Sequence, residues 1–180
     1  MKIKFVLLIV FVWLGATATN AQPGQTAGAK PFHFSSRQSG FGVQGEFEGT
    51  YLIRDYAIEV NVTKATIYVS EHCPYQGRRS INWLKFGLVK DLGSEGRWKI
   101  ETFAPPVALA LMMSPKEEYS LYNLYFVIPK ERDADLTQRW FVAEIQTDAV
   151  DLPIEKKTKG YVYAHSRRDI FLPSADESKK

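Results

Sequence analysis

The middle of this chain alternates, and that most restricts its fold. From residue 37 to residue 173, apolar side chains recur mainly at every second position, in short runs broken by Gly, Pro and charged clusters. A period of two sends successive side chains to opposite faces of a strand. No convincing long helix competes with it.

The runs can be followed along the chain. Phe41, Val43 and Phe47 share one parity and Gln44, Glu46 and Glu48 hold the other, with a bend expected at Gly45. Ile58, Val60 and Val62 alternate with Glu59 and Asn61. The apolar parity then shifts to Ile67 and Val69, which places a turn or bulge near Thr63-Lys64. Residues 81–90 (INWLKFGLVK) read as a strand with apolar groups on both faces. The loop DLGSEG at 91–96 and the alternation around Trp98 and Ile100 complete a hairpin. Residues 107–113 (VALALMM) suit either a buried strand or a helical turn. Residues 120–128, the parity of Phe141, Ala143 and Ile145, and Tyr161 to His165, extending toward Phe171, supply the remaining strands. About eight short strands with Gly- and Pro-marked turns predict a single all-β domain. An antiparallel β-sandwich is preferred and a β-barrel is the alternative.

The ends read differently. A basic start (Lys2, Lys4), an apolar run from Phe5 to Leu14 and a small-residue stretch ending at Ala21 have the three parts of a secretory signal peptide. The run is too short to span a hydrocarbon core, which needs about 20 residues. Residues 1–21 are therefore assigned to a signal, with cleavage leaving Gln22 first and the product periplasmic or extracellular. Residues 22–36, rich in Gly, Pro, Ala and Ser, are read as a flexible leader. Residues 174–180 are read as a polar tail.

Losing the two signal lysines leaves 21 basic against 20 acidic residues. A near-neutral protein has little electrostatic reason to bind nucleic acid, where phosphate neutralisation dominates affinity. No later stretch is apolar enough to span a membrane. The single cysteine, Cys73, has no intramolecular partner and is expected as a buried thiol.

Five motifs suggest chemistry, and each has a plainer reading. Gly40-x-Gly42-x-x-Gly45 has dinucleotide-binding spacing but leads into strand alternation where that motif must open a helix. Glu46 and Glu48 are spaced as a carboxylate pair, yet alternation alone puts glutamates on a wet face. His72, Cys73 and His165 supply zinc-type ligands without zinc-type spacing. His165, Ser166 and Asp169 are the residue types of a hydrolase triad, but three near neighbours cannot reproduce its spatial arrangement. Asn61-Val62-Thr63 is a glycosylation sequon. No catalytic residue, metal ligand or cofactor is assigned.

The aromatic residues remain. If the strands around residues 140 and 163 are neighbours, Trp140, Tyr161, Tyr163 and His165 share one outer face. Exposed aromatic patches mark interaction surfaces. These four residues are the candidate binding site, and a protein or a glycan is the candidate partner. The expected function is an exported, non-enzymatic binding module. Two other classes compete. A barrel carrier of an apolar small molecule would keep an unfilled interior lined by Phe86, Phe126 and Phe141. A small hydrolase or metalloenzyme would gather His72, His165 and an acid in one pocket.

Overall fold

The computed structural model describes residues 28–36, 42–71, 77–93, 97–151 and 159–172. Nine strands lie within them, in chain order β1 (Lys30–Ser35), β2 (Val43–Ile53), β3 (Ala57–Val69), β4 (Arg79–Asp91), β5 (Trp98–Phe103), β6 (Val107–Met113), β7 (Glu118–Pro129), β8 (Arg139–Ala149) and β9 (Lys159–His165). They form two antiparallel sheets. Sheet A runs β1-β2-β3-β7. In sheet B, β5 and β6 share one edge of β4, β8 takes the other, and β9 pairs with β8. The sheets do not close into a barrel, and their inner faces meet in one core. The architecture is the expected β-sandwich. The ambiguous VALALMM segment is strand β6.

The core follows the alternation. Phe47, Ile58, Val60, Val62, Ala65, Ile67, Phe86, Phe141 and Ile145 are fully buried. Phe86 stacks on Phe126 at 4.9 Å and meets Phe47 edge-on at 5.3 Å. Phe141 packs against Tyr51 and Phe171 at 5.2 and 4.8 Å. The rings that would have lined a carrier's cavity therefore fill the interior themselves. The parity shift predicted near Thr63 is a bulge, where β2 and β3 slip register between Glu48 and Gly49. A side chain on Gly49 would come within 2.0 Å of the Asn61 carbonyl oxygen, so the bulge requires glycine there.

One boundary needs correction. Residues 22–36 were expected to be a leader, yet Lys30–Ser35 is a core strand, with Phe32 and Phe34 buried against Phe86 and Phe141. Loop-type composition hid a three-residue alternation, and Pro31 is tolerated because β1 lies at a sheet edge. The folded domain begins by Lys30. The signal, the residues before 28 and the tail lie outside the described residues.

Candidate binding face

The register of sheet B lays out its outer face in cross-strand rows. At one end Ser80 lies beside Asp148, which lies beside Lys159. The next row is Trp83, Gln146 and Tyr161, and the row after it is Lys85, Glu144 and Tyr163. Then come Phe103, Gly87, Val142 and His165, and finally Ile100, Val89 and Trp140. Successive rows are about 6.7 Å apart and neighbouring strands about 4.8 Å apart. The predicted four residues are thus brought together on one face of two paired strands.

Their exposure is not uniform. Tyr161 is 43% exposed, Tyr163 and His165 are half-buried, and Trp140 is only 3% exposed. The reason is curvature. Trp98 on β5 touches the His165 ring on β9 at 4.6 Å and the Tyr163 ring at 5.9 Å. Two strands separate β5 from β9, so a flat sheet would hold them about 14 Å apart. Sheet B curls, and the curl closes its apolar end into a small second core of Val89, Trp140 and Val142 beneath Trp98, Phe103 and Tyr163. Arg168 caps this end. Its guanidinium lies 5.0 Å from the Trp140 ring and 3.1 Å from Asp91. Trp140 Nε1 donates to His165 Nδ1 at 3.2 Å. Burial first, and the Arg168 charge second, hold the His165 imidazole below its ordinary pKa.

The other end stays open and is polar. A bulge between Ile81 and Trp83 turns both Asn82 and Trp83 outward. Ser80 Oγ donates to Asn82 Oδ1 at 2.5 Å. Asn82 Nδ2 donates to Gln146 Oε1 at 2.5 Å and to Asp148 Oδ2 at 2.8 Å, and Gln146 Nε2 donates to Asp148 Oδ1 at 2.8 Å. Next to this network the Lys85 ammonium lies 3.2 Å from the Glu144 carboxylate. It also lies 5.1 and 5.3 Å from the Trp83 and Phe103 ring centres. Burial, with the Glu144 charge behind it, pushes the Tyr163 hydroxyl up to about 12. Aromatic side chains flank this polar face, Trp83 on β4 and Tyr161 and Tyr163 on β9. Planar hydrogen-bonding side chains lie between them. Gln146 and Glu144 are almost fully buried there, whereas Asn82 and Asp148 are half-buried and reachable. The Trp83 indole N–H is buried with no hydrogen-bond partner among the described residues.

The sequence grouped the β9 residues of this face and left the β4 residues out. Trp83, Lys85 and Asn82 were read only as part of a doubly apolar strand, because the bulge breaks the parity that would have grouped them. The remaining motifs have structural occupations. Glu46 accepts from His33 Nε2 at 2.7 Å on an exposed face. Gly45 leaves room for Ile145 and the Phe47 ring. Ser166 Oγ accepts the Phe141 N–H at 2.9 Å, and Asp169 is paired with Arg167. Asn61 lies within β3, paired with Thr50 and Tyr125 on either side. His72 and Cys73 lie outside the described residues. Among the described residues no three His, Cys, Asp or Glu side chains are grouped to hold a metal, and no helix is long and apolar enough to cross a membrane.

A pocket of about 280 Å³ opens elsewhere, where Leu88, Thr102 and Pro129 meet Glu101 and Arg139. Its charges answer each other. Arg139 donates to both Glu101 oxygens and holds that carboxyl below the usual range.

No family model, curated protein or solved structure matches the chain.

Proposed function

We propose that this protein is an exported, non-enzymatic binding module that holds a glycan on the polar half of the outer face of sheet B. The observation that carries the reading is the row Trp83–Gln146–Tyr161. Two aromatic side chains stand two strands apart, about 9.6 Å at the backbone, across amide and carboxylate groups. Sugars present flat C–H faces and rings of hydroxyls. Aromatic rings with polar tips suit the first, and planar side chains that both donate and accept suit the second. The buried partners Gln146 and Glu144 hold Asn82, Asp148 and Lys85 in place before any ligand arrives. Such preorganisation lowers the cost of binding. The basic, apolar, small-residue beginning of the chain supports export, and an intact mass starting at Gln22 in the exported fraction is the outcome that reading expects.

The test uses the mature protein against an array of immobilised oligosaccharides, with tryptophan fluorescence following each hit in solution. Saturable binding is expected. Tyr161→Ala and Trp83→Ala should each weaken it about tenfold, a loss of about 1.4 kcal/mol. Tyr122→Ala, on the other sheet, should leave it unchanged. An array without a binder, or binding indifferent to Tyr161, would sink the proposal.

A further inference from the structure

The outer edge of β7 carries a second surface, independent of the sheet B face. No described strand pairs with it. It runs for 12 residues, and between Glu118 and Lys130 it carries no charged side chain. Edge strands of natural sheets are normally blunted by charge, proline, a bulge or brevity. The other edges here follow that rule. β1 carries Lys30 and Pro31, β5 carries Lys99 and Glu101, and β9 begins at Lys159. β6 is only seven residues long. β7 is long, and its charge and its proline sit only at its two ends, Glu118 and Pro129; Tyr122 is 62% and Tyr125 58% exposed beside its free edge. Leu121 and Leu124 remain half-buried at the seam.

We infer that β7 pairs antiparallel with β7 of a second copy, joining two A sheets into one eight-stranded sheet. The strand is complementary to itself. Asn123, at φ 55°, interrupts the alternation, so Tyr122 and Tyr125 share the outer face although three residues apart. Placing Tyr122 opposite Tyr125 of the second copy then matches faces on both sides of the central Asn123–Leu124 step. Leu121 meets Phe126, Ser120 meets Val127 and Tyr119 meets Ile128. A one-residue slip would set inward against outward residues throughout. Charge selects among the registers that keep the faces matched, because this one sets Glu117 across from Lys130 at both ends. Parallel pairing would instead stack like against like. The closed symmetry of such a pair ends assembly at two copies and covers the edge.

Sedimentation of the mature protein should show a concentration-dependent monomer–dimer equilibrium. Tyr122→Lys with Tyr125→Lys should shift it fully to monomer while matching the melting temperature of wild type diluted to monomer, since both positions are exposed in the single chain. In a Cys73→Ser background, the pair Tyr122→Cys and Tyr125→Cys should form a covalent dimer on mild oxidation. Either single cysteine should not, because the like thiols would lie about 10 Å apart along the strands, beyond disulfide reach. Three results would overturn the inference: a wild-type monomer at every concentration, a dimer that survives both lysines, or single cysteines that cross-link as readily as the pair.

Discussion

The two sheets treat their outer faces in opposite ways. On sheet A the outward positions of β2 are half-buried or wet, and Glu46 and Glu48 are exposed. On sheet B the outward positions of β8 are as hidden as the inward ones. Every residue of β8 is buried except Arg139 and Asp148, which are half-buried. Both strands are central to the fold, so burial on the second face is not a matter of position alone. Sheet B curls, and Trp98, Tyr163 and Arg168 close over what the curl encloses. An outer face can therefore be a second interior, with aromatic groups packed at one end and hydrogen-bonded groups at the other.

The sharpest way to break that comparison is to remove one large ring from each face. Trp140→Ala leaves a cavity between Val89, Val142 and Arg168 and should cost about 3–5 kcal/mol. At this size that is on the order of 10 °C in melting temperature. Tyr122→Ala on the outer face of sheet A should change stability by less than about 0.5 kcal/mol. Thermal denaturation checks both. Equal losses would mean that the sheet B face is no more an interior than the sheet A face.

A smaller contrast separates the charges. Glu144 is almost fully buried and its partner Lys85 is a quarter exposed, whereas His33 and Glu46 face solvent at 60% and 58%. Glu144→Leu should destabilise by about 3 kcal/mol, because it strands Lys85 among rings. Adding Lys85→Met should recover most of the loss. The same treatment of His33 and Glu46 should produce coupling under about 1 kcal/mol. A double-mutant cycle on each pair measures the difference, and additive effects at Lys85 and Glu144 would remove the argument that the pair acts as a unit.

This asymmetry also explains what the sequence revealed and what it concealed. Alternation is visible when one face is wet, so β2 and β3 could be read to the bulge at Thr63-Lys64. β8 shows only Trp-Phe-Val-Ala with Glu and Gln interspersed, and a buried glutamate looks like an exposed one in sequence. Of the outer face of sheet B, the β9 residues were legible because Tyr161, Tyr163 and His165 keep strict parity. Trp83 was not, since a bulge put it beside Asn82 on the same side. β1 was lost for another reason: Phe32 and Phe34 sit among Gly, Pro and Ser, and composition outweighed a short alternation. Tyr122 and Tyr125 were seen as strand residues, but no local pattern announces that a strand will lie at an edge.

Titration sharpens the contrast further. His165 is half-buried beside Trp98 and Trp140, and its folded pKa lies below its unfolded value near 6.5. The stabilisation this reflects is complete above 6.5 and is lost as pH falls through the folded value. Protonation also removes the Nδ1 lone pair that accepts from Trp140. The melting temperature of the wild type should therefore fall more steeply between pH 7 and pH 5 than that of His165→Phe. NMR should place the imidazole titration below that of a free histidine. Parallel melting curves across this range would leave the Trp140–His165 contact without energetic weight.

The smallest effect sits at the boundary between the packed and open ends of the face. Tyr163 has a pKa of about 12, against an ordinary tyrosine near 10, chiefly through burial and then through the Glu144 charge. Because the folded value is the higher one, its contribution to stability is whole below pH 10 and disappears as pH rises toward 12. Nothing should change at neutral pH. In an alkaline spectrophotometric titration of the nine tyrosines, Tyr163 should ionise late, and Tyr163→Phe should delete that late step. Glu144→Gln should move the step downward while leaving it above 10, since it removes the carboxylate charge and keeps the burial. A late step that ignored Glu144 would place Tyr163 apart from the polar groups of this face. The aromatic residues on β9 and the polar groups on β8 would then be neighbours in register without acting as one site.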